Sequence, residues 1–490
     1  MSGFTMSQES TANRRRSPRL AGLEGAVQVE LKHFKARAGS KAIGVAFWRS
    51  KRGLDALRIV AGSSWIQREE AQLLQLVSLG LCRECRELRA IHVKVTAATP
   101  KSLWARDVTH GKRRRPFFSR VTRPWISHLT WELPMEQMAS LLAWPRGLKQ
   151  LTFGPTFNEG LPRPGVVSGR LRRNIRTPGG SSEVALPTGI VDLVFGDRFN
   201  QRVDGVEWPM ALKQVTFGSD FNQRLDGVVW PDKLQLVTFG RNFDQPVDTV
   251  EWPQGMVVLI FGASFNQPIH RVAWPTGLAF MIFPGDFNQP LQGVSWPAGL
   301  KMLALGGCFN QPVDGVVWPD GLEILIFKEG FNQPVEGVEW PAGLRLLSFG
   351  KDFNQPITGL TLPDGLERLY LGYVAFNQSV NGVVWPAGLK ELALGESFNQ
   401  PVQGVVWPSG LKRLRFVGDF NQPVAGLVLP EGLEELEFGD SFDQPLEEVV
   451  FPGGLKLLKL GHSFTNRIDN VIWPPGLEGV MIWGTFHMLG

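Results

Sequence analysis

The sequence predicts a mainly β fold: a solenoid of about 15 coils of 22 residues, preceded by a small basic region of α+β or helical character. Three observations predict it. Phe recurs at a step of 22 residues at positions 199, 221, 243, 265, 287, 309, 331 and 353; one extra residue intervenes, and the step resumes through Phe376, Phe398, Phe420, Phe442 and Phe464. Within each unit Leu and Phe alternate with variable residues, the period of a strand. With 55 Gly and 35 Pro, turns come too often for an α-helix of three turns.

The N-terminal part differs in charge from the rest. Residues 1–121 hold 24 Lys+Arg against 9 Asp+Glu, a net of +15, and residues 122–490 hold 27 against 37, a net of −10. Residues 1–20, rich in Ser, Thr, Asn and Arg, read as a disordered basic tail. Residues 21–121 read as a basic domain or a cap for the solenoid, with strands expected at Ala42–Trp48 and Ala90–Val95 and a helix at Trp65–Leu88. A solenoid needs a covered end, which favours the cap.

The array occupies residues 122–490. Phe157 precedes Phe199 by 42 residues, which is one step of 22 plus an insertion of 20, placed at 162–181. The insertion carries Arg163, Arg170, Arg172, Arg173 and Arg176 and reads as an exposed loop, a common place for contacts. A typical unit is L-x-x-L-x-F-G-x-x-F-N-Q-P-V-x-G-V-x-W-P-x-G. Leu and Phe of the strand face one side and the x residues the other. Eleven of the 17 Trp precede Pro in the same slot, which marks a packing position and not eleven separate sites. No single coil can cover its own apolar residues, so stability belongs to the interfaces between neighbours. The Asn after Phe has both amide donors and an acceptor and is expected to form a ladder along the stack. Asp244 and Asp443 replace it in two coils, and an ionised Asp only accepts, so those rungs are expected to be satisfied differently.

F-N-Q-P stands at Phe265, Phe287, Phe309, Phe331, Phe353, Phe398 and Phe420, with L-x-x-L-x-F-G before it and Pro-x-Gly-Leu after it. This pattern resembles the FNIP repeat, a short relative of leucine-rich repeats, over about three quarters of the chain. The resemblance implies a curved, leucine-rich-repeat-like solenoid that binds other proteins, and it implies no catalytic residues. Such arrays sometimes follow an F-box, but the Leu-Pro opening expected of that module is missing from residues 1–121.

Candidate chemistry is thin. Cys82-x-x-Cys85 has no second Cys or His pair at zinc spacing, and Cys308 is far away in a repeat. The seven His are scattered and none adjoins a nucleophile motif. Lys112-Arg113-Arg114-Arg115 is a basic cluster suited to import, phosphate binding or docking on the acidic array. Asn377-Gln378-Ser379 matches a glycosylation sequon but falls in the Asn ladder slot. No apolar run is long enough for a membrane helix, and no leader precedes residue 20. An intracellular protein, cytoplasmic or nuclear, is expected, with neither metal nor cofactor.

The strongest functional signal lies on the outward side of the strands. Leu236, Val258, Ile260, Phe280, Ile282, Met302, Ile324, Ile326 and Leu346 form an apolar stripe there, which gives way to charges such as Arg413 and Arg415. Exposed apolar area of that extent marks a contact surface. The sequence therefore predicts a monomeric, non-enzymatic scaffold that binds a protein partner with its strand face. The alternatives are a ubiquitin-ligase substrate receptor acting through the N-terminal region, and association with nucleic acid through the basic residues 1–121, nucleic acid being the less expected partner.

Overall fold

The structure, a computed structural model, describes residues 28–31, 91–95, 126–132, 144, 147–161 and 185–487. The helix expected at Trp65–Leu88, the strand at Ala42–Trp48, the pair Cys82 and Cys85, the basic cluster at 112–115 and the insertion 162–181 lie outside these residues.

Among the described residues, nineteen strands form one sheet. Strands β1 (Gln28–Leu31), β2 (Ile91–Val95) and β3 (Ile126–Trp131) begin it. Then follow β4 (Gln150–Phe153), β5 (Asp192–Val194), β6 (Gln214–Thr216), β7 (Leu236–Thr238), β8 (Val258–Ile260), β9 (Phe280–Ile282), β10 (Met302–Leu305) and β11 (Ile324–Phe327). Next come β12 (Leu346–Ser348), β13 (Arg368–Leu371), β14 (Glu391–Leu394), β15 (Arg413–Phe416), β16 (Glu435–Glu437), β17 (Leu457–Leu460), β18 (Gly479–Ile482) and β19 (Thr485–His487). From β2 to β18 every neighbour is parallel and consecutive, as a solenoid requires. At each end one antiparallel strand closes the sheet, β1 on β2 and β19 on β18. No helix is present among the described residues.

One coil shows how the repeat makes its turn. Leu303 and Leu305 of β10 point inward, and Phe309, Val313, Val316, Trp318 and Leu322 follow them into the same core. Three tight turns bring the chain round. Phe309 N–H donates to the Gly306 carbonyl, Val316 N–H to Val313, and Leu322 N–H to Pro319. The middle turn holds Gly315 at φ 68°, the left-handed position that a type II turn demands and Gly supplies without strain.

Neighbouring coils touch through aromatic columns. Phe309 stacks on Phe287 at 6.2 Å and on Phe331 at 6.1 Å between ring centroids. Trp318 stacks on Trp340 at 6.2 Å and meets the ring of Phe327 edge-on at 87°. Indole nitrogens from Trp208 to Trp407 are buried without a hydrogen-bond partner. In these coils the slot thus uses Trp for volume alone, and Leu429 and Phe451 fill it equally well further on.

Equivalent Phe rings step by 6.0–6.2 Å along the stack. Hydrogen-bonded strands step by only about 4.8 Å. The stack is therefore shorter along its strand side than along its Phe and Trp side, and the strand face is the inside of a curve. Gly after the strand permits this close approach. A methyl group on Gly218 would lie 1.9 Å from the carbonyl oxygen of Gly196.

The stack runs unbroken past the insertion. Phe157 meets Phe199 at 6.0 Å, β4 pairs with β5 in register, and Asn200 N–H donates to Asn158 Oδ1 at 2.9 Å.

The Asn column is a one-way ladder. In each coil the Asn Oδ1 accepts two hydrogen bonds from the next coil, one from the backbone N–H of its Asn and one from its Gln Nε2. The rung uses only the acceptor. Asp244 therefore serves without change, accepting from Asn266 N–H at 2.9 Å and Gln267 Nε2 at 2.8 Å. Asp443 accepts from Thr465 N–H and Asn466 Nδ2 in the same way. The expectation that the Asp rungs need another arrangement is corrected: the amide donors of Asn were never part of the rung. Asn377 sits in this ladder and accepts from Asn399 N–H.

Candidate functional site

The inner strand face is built from the x residues of L-x-x-L-x-F. Parallel pairing sets them in two rows. In one row Leu236, Val258, Phe280, Met302, Ile324, Leu346, Arg368, Glu391, Arg413, Glu435 and Leu457 are direct neighbours. In the other, Ile260, Ile282, Ala304, Ile326, Ser348, Tyr370, Ala393, Arg415, Glu437 and Lys459 follow each other.

The rows divide the face into three zones. The first coils present Gln150, Thr152, Gln214 and Thr216. The middle coils present the apolar stripe, and the later ones the charges.

The apolar stripe faces away from the main core, but much of it is not open to solvent. Leu236 is 2% exposed, Val258 3%, Phe280 8%, Ile282 9% and Leu346 5%. Leu236, Val258 and Phe280 form a second cluster, against which Ile260 and Met302 pack. The exposure expected of these side chains is corrected: large apolar side chains on neighbouring rungs pack against one another. Ile260, Met302, Ile324 and Ile326 stay half-buried and form the accessible part. Period-2 reasoning assigns the face correctly but says nothing about packing between rungs.

The charged zone is a lattice of alternating sign. Arg413 lies 3.4 Å from Glu391 on one side and 3.4 Å from Glu435 on the other. Arg415 donates to Glu437 at 2.9 Å. Lys459 reaches both Glu435 and Glu437. A third row, just before the strands, is paired in threes: Arg345 and Lys390 flank Glu367, and Lys412 and Lys456 flank Glu434. Burial alone would lower the pKa of the Arg415 guanidinium, but the hydrogen bond and charge of Glu437 outweigh it and hold it above its ordinary value. The hydrogen bond from Lys456 holds Glu434 below the usual carboxylate range. Burial, reinforced by the charge of Glu391, pushes the phenol of Tyr370 up. Arg413 and Arg415 are thus partnered within the sheet, which the linear sequence does not show.

Among the described residues no group of three His, Cys, Asp or Glu could hold a metal ion, and no helix is long and apolar enough to cross a membrane. Cys308 is a free, exposed thiol, pushed up by burial of the sulfur and by the charge of Asp286.

The sequence reading passed over one feature. The residue before Trp in V-x-W points outward on the opposite, convex side. Val384, Val406, Val428, Val450 and Ile472 occupy this slot in five consecutive coils, each about 80% exposed, from 77% for Val428 to 83% for Val406. The signal was legible as a β-branched residue at every 22nd position.

With this geometry in place, comparison with known proteins decides the family. The FNIP Repeat family model matches residues 287–330, 331–374 and 420–478. The chain is an FNIP-repeat protein. Among solved structures its FNIP solenoid is similar to CroV588, described as a novel circular leucine-rich-repeat protein, with 32% identity and a TM-score of 0.63. The match covers 73% of this chain and 50% of CroV588, so the FNIP-repeat chain spans about half the length of that protein. YopM from Yersinia enterocolitica matches at 17% identity and a TM-score of 0.39, over 87% of this chain and 98% of its own. An internalin from Listeria monocytogenes matches at 11% identity and a TM-score of 0.39, over 71% of this chain and 88% of its own. No curated protein sequence matches the chain.

Proposed function

We propose that the protein is a non-enzymatic scaffold that receives a protein partner on the inner face of its FNIP solenoid. The observation that carries this reading is the zoning of that face. Half-buried Ile324 and Ile326 are followed, after the rung of Leu346 and Ser348, by the lattice of Arg368, Glu391, Arg413 and Glu435, all on hydrogen-bonded rungs. A rigid face that is apolar at one end and patterned in charge at the other can hold an extended segment and fix its register. The resemblance to a circular leucine-rich-repeat protein supports the solenoid framework on which this reading rests.

The test compares the full chain with an Ile324→Glu, Ile326→Glu double variant in affinity purification from the source cells, with circular dichroism on both. Loss of the proteins retained by the unmodified chain, at unchanged fold, is the expected result. Retention of the same proteins by the folded variant places binding away from the inner face. The reading names no catalytic residue, so any turnover traced to this face overturns it.

A further inference from the structure

We infer that the charged end of the inner face takes an acidic segment of a partner protein, laid in extended form along the groove between the row of Arg413 and the row of Lys412. The inference rests on the reading that this face receives a partner, and it names the chemistry of the part that meets the charged coils.

The first observation is depth. The side chains of the lattice stand at two levels. Glu367, Glu391, Glu435 and Glu437 lie low, 14–27% exposed. The cations stand higher, from 30% for Lys459 to 63% for Arg345. Glu434, at 40%, is the exception. Arg and Lys carry their charge at the end of a long stem and keep it in water. A group entering the groove therefore meets ammonium and guanidinium before it meets carboxylate.

The second is the local balance. The row before the strands holds Arg345, Lys390, Lys412 and Lys456 against Glu367 and Glu434, an excess of two cations. The two strand rows hold Arg368, Arg413, Arg415 and Lys459 against Glu391, Glu435 and Glu437, an excess of one. Residues 122–490 as a whole carry a net of −10. The array thus repels an acidic chain in general and attracts it here, which steers the encounter and fixes the register.

The third is spacing. The two rows line one groove, from Glu367 and Arg368 to Lys456 and Leu457. Four rungs separate Arg368 from Leu457, about 19 Å, the length of roughly six residues of extended chain. Arg368 and Arg413 are two rungs apart, with Glu391 between them. A peptide can place a carboxylate over each Arg and an uncharged residue over the Glu. A nucleic-acid strand cannot, because its phosphates follow one another at about 3.4 Å and some must fall on Glu391 and Glu435.

The experiment selects peptides of about twelve residues from a random phage-displayed library on the immobilised full chain and measures the enriched ones by fluorescence anisotropy. Peptides rich in Asp and Glu are expected, binding at least about tenfold more weakly at about 1 M than at about 0.1 M salt. Roughly tenfold weaker binding is expected for a Lys390→Gln, Lys412→Gln, Arg413→Gln variant of unchanged circular dichroism. Lys412→Gln and Arg413→Gln made singly, each expected to weaken binding about two- to threefold, keep the inference falsifiable if the triple variant fails to fold. Gln at all four positions 112–115 is expected to change nothing; loss of binding there, with the lattice variants unaffected, moves the acidic peptide to the N-terminal region and overturns the inference. Enrichment of no acidic peptide overturns it too. If apolar peptides appear instead and are lost with Ile324→Glu, Ile326→Glu, the inner face still stands as the binding surface; if the peptides bind every variant equally, that reading falls as well. A single-stranded oligonucleotide of about 20 nucleotides that displaces the acidic peptides from the lattice at about 0.15 M salt puts nucleic acid in place of protein and overturns the inference.

Discussion

The side chain of Asn266 and the backbone of Asn288, 22 residues later, are joined by a hydrogen bond of 2.9 Å in which Asn266 Oδ1 accepts the Asn288 N–H. The same oxygen accepts from Gln289 Nε2 at 3.0 Å, so one acceptor ties two groups of the next coil. Replacing Asn266 by Leu removes both bonds and leaves part-buried donors unmet. A loss of roughly 1–3 kcal/mol is expected in chemical denaturation. Asn266→Asp keeps the acceptor and is expected to be nearly neutral at pH 7. Equal losses from the two substitutions would show that the rung depends on the amide.

An aspartate already in the ladder makes the stack sensitive to acid. Asp443 has a lowered pKa, chiefly because the backbone N–H of Thr465 donates to it. A carboxylate depressed in the folded state contributes stability that is full above its unfolded value, about 3.9, and is lost as pH falls through the folded value. Asp443→Asn removes this titration while retaining an acceptor. Thermal midpoints of the variant are expected to match the unmodified protein at pH 7 and to fall less below about pH 4. Parallel curves would contradict this.

Two glycines are expected to respond to alanine for different reasons. In Gly218→Ala the new methyl meets the Gly196 carbonyl oxygen at 1.9 Å, so the coils must separate. A cost of about 3 kcal/mol or more is expected. In Gly315→Ala the methyl meets nothing within 4 Å, and only the backbone at φ 68° is strained. About 1–2 kcal/mol is expected there. The order of the two denaturation midpoints is the measurement.

The aromatic columns separate filling from geometry. Phe309 is fully buried between two rings, and Phe309→Ala is expected to cost roughly 3–5 kcal/mol and to expose neighbouring coils to hydrogen exchange. Trp340→Phe loses volume but also removes a buried indole N–H with no hydrogen-bond partner. Its cost is expected to stay within about 1.5 kcal/mol, as Phe451 in the same slot suggests.

The coils on either side of the insertion already stack, through Phe157 on Phe199 and Asn158 on Asn200. Deleting residues 162–181 is therefore expected to leave the far-ultraviolet circular dichroism and the melting midpoint unchanged. An aggregated deletion variant would show that the loop braces the stack.

Most of the fold was legible because a repeat states each structural decision many times. Phe309 and Trp318 could each be checked against ten or more equivalents and Gly315 against eight, and their burial and turn roles follow from periodicity. What distinguishes one coil from another was harder. Phe280 and Ile324 occupy matching outward positions, yet Phe280 is nearly closed off and Ile324 is not, because exposure depends on the particular side chains packed around each, such as Leu236 and Val258 in the cluster of Phe280. Arg415 looked like a free charge because its partner Glu437 stands 22 residues on. The Asn ladder was expected, but which half of the amide it uses appears only with the direction of the bonds.

That direction bears on synthesis. Each rung offers an acceptor to the coil that follows it in the chain, and the last one ends on Thr465, whose hydroxyl donates to Asp443. A chain emerging from the ribosome, N-terminus first, always has the receiving half of the next rung in place. In the Asn column the unfinished end awaits only donors for its Oδ1 oxygen, which water satisfies meanwhile, and those donors arrive with each new coil. The column can thus lengthen in step with translation, one 22-residue increment at a time, with the backbone N–H of each Asn met as soon as its coil folds.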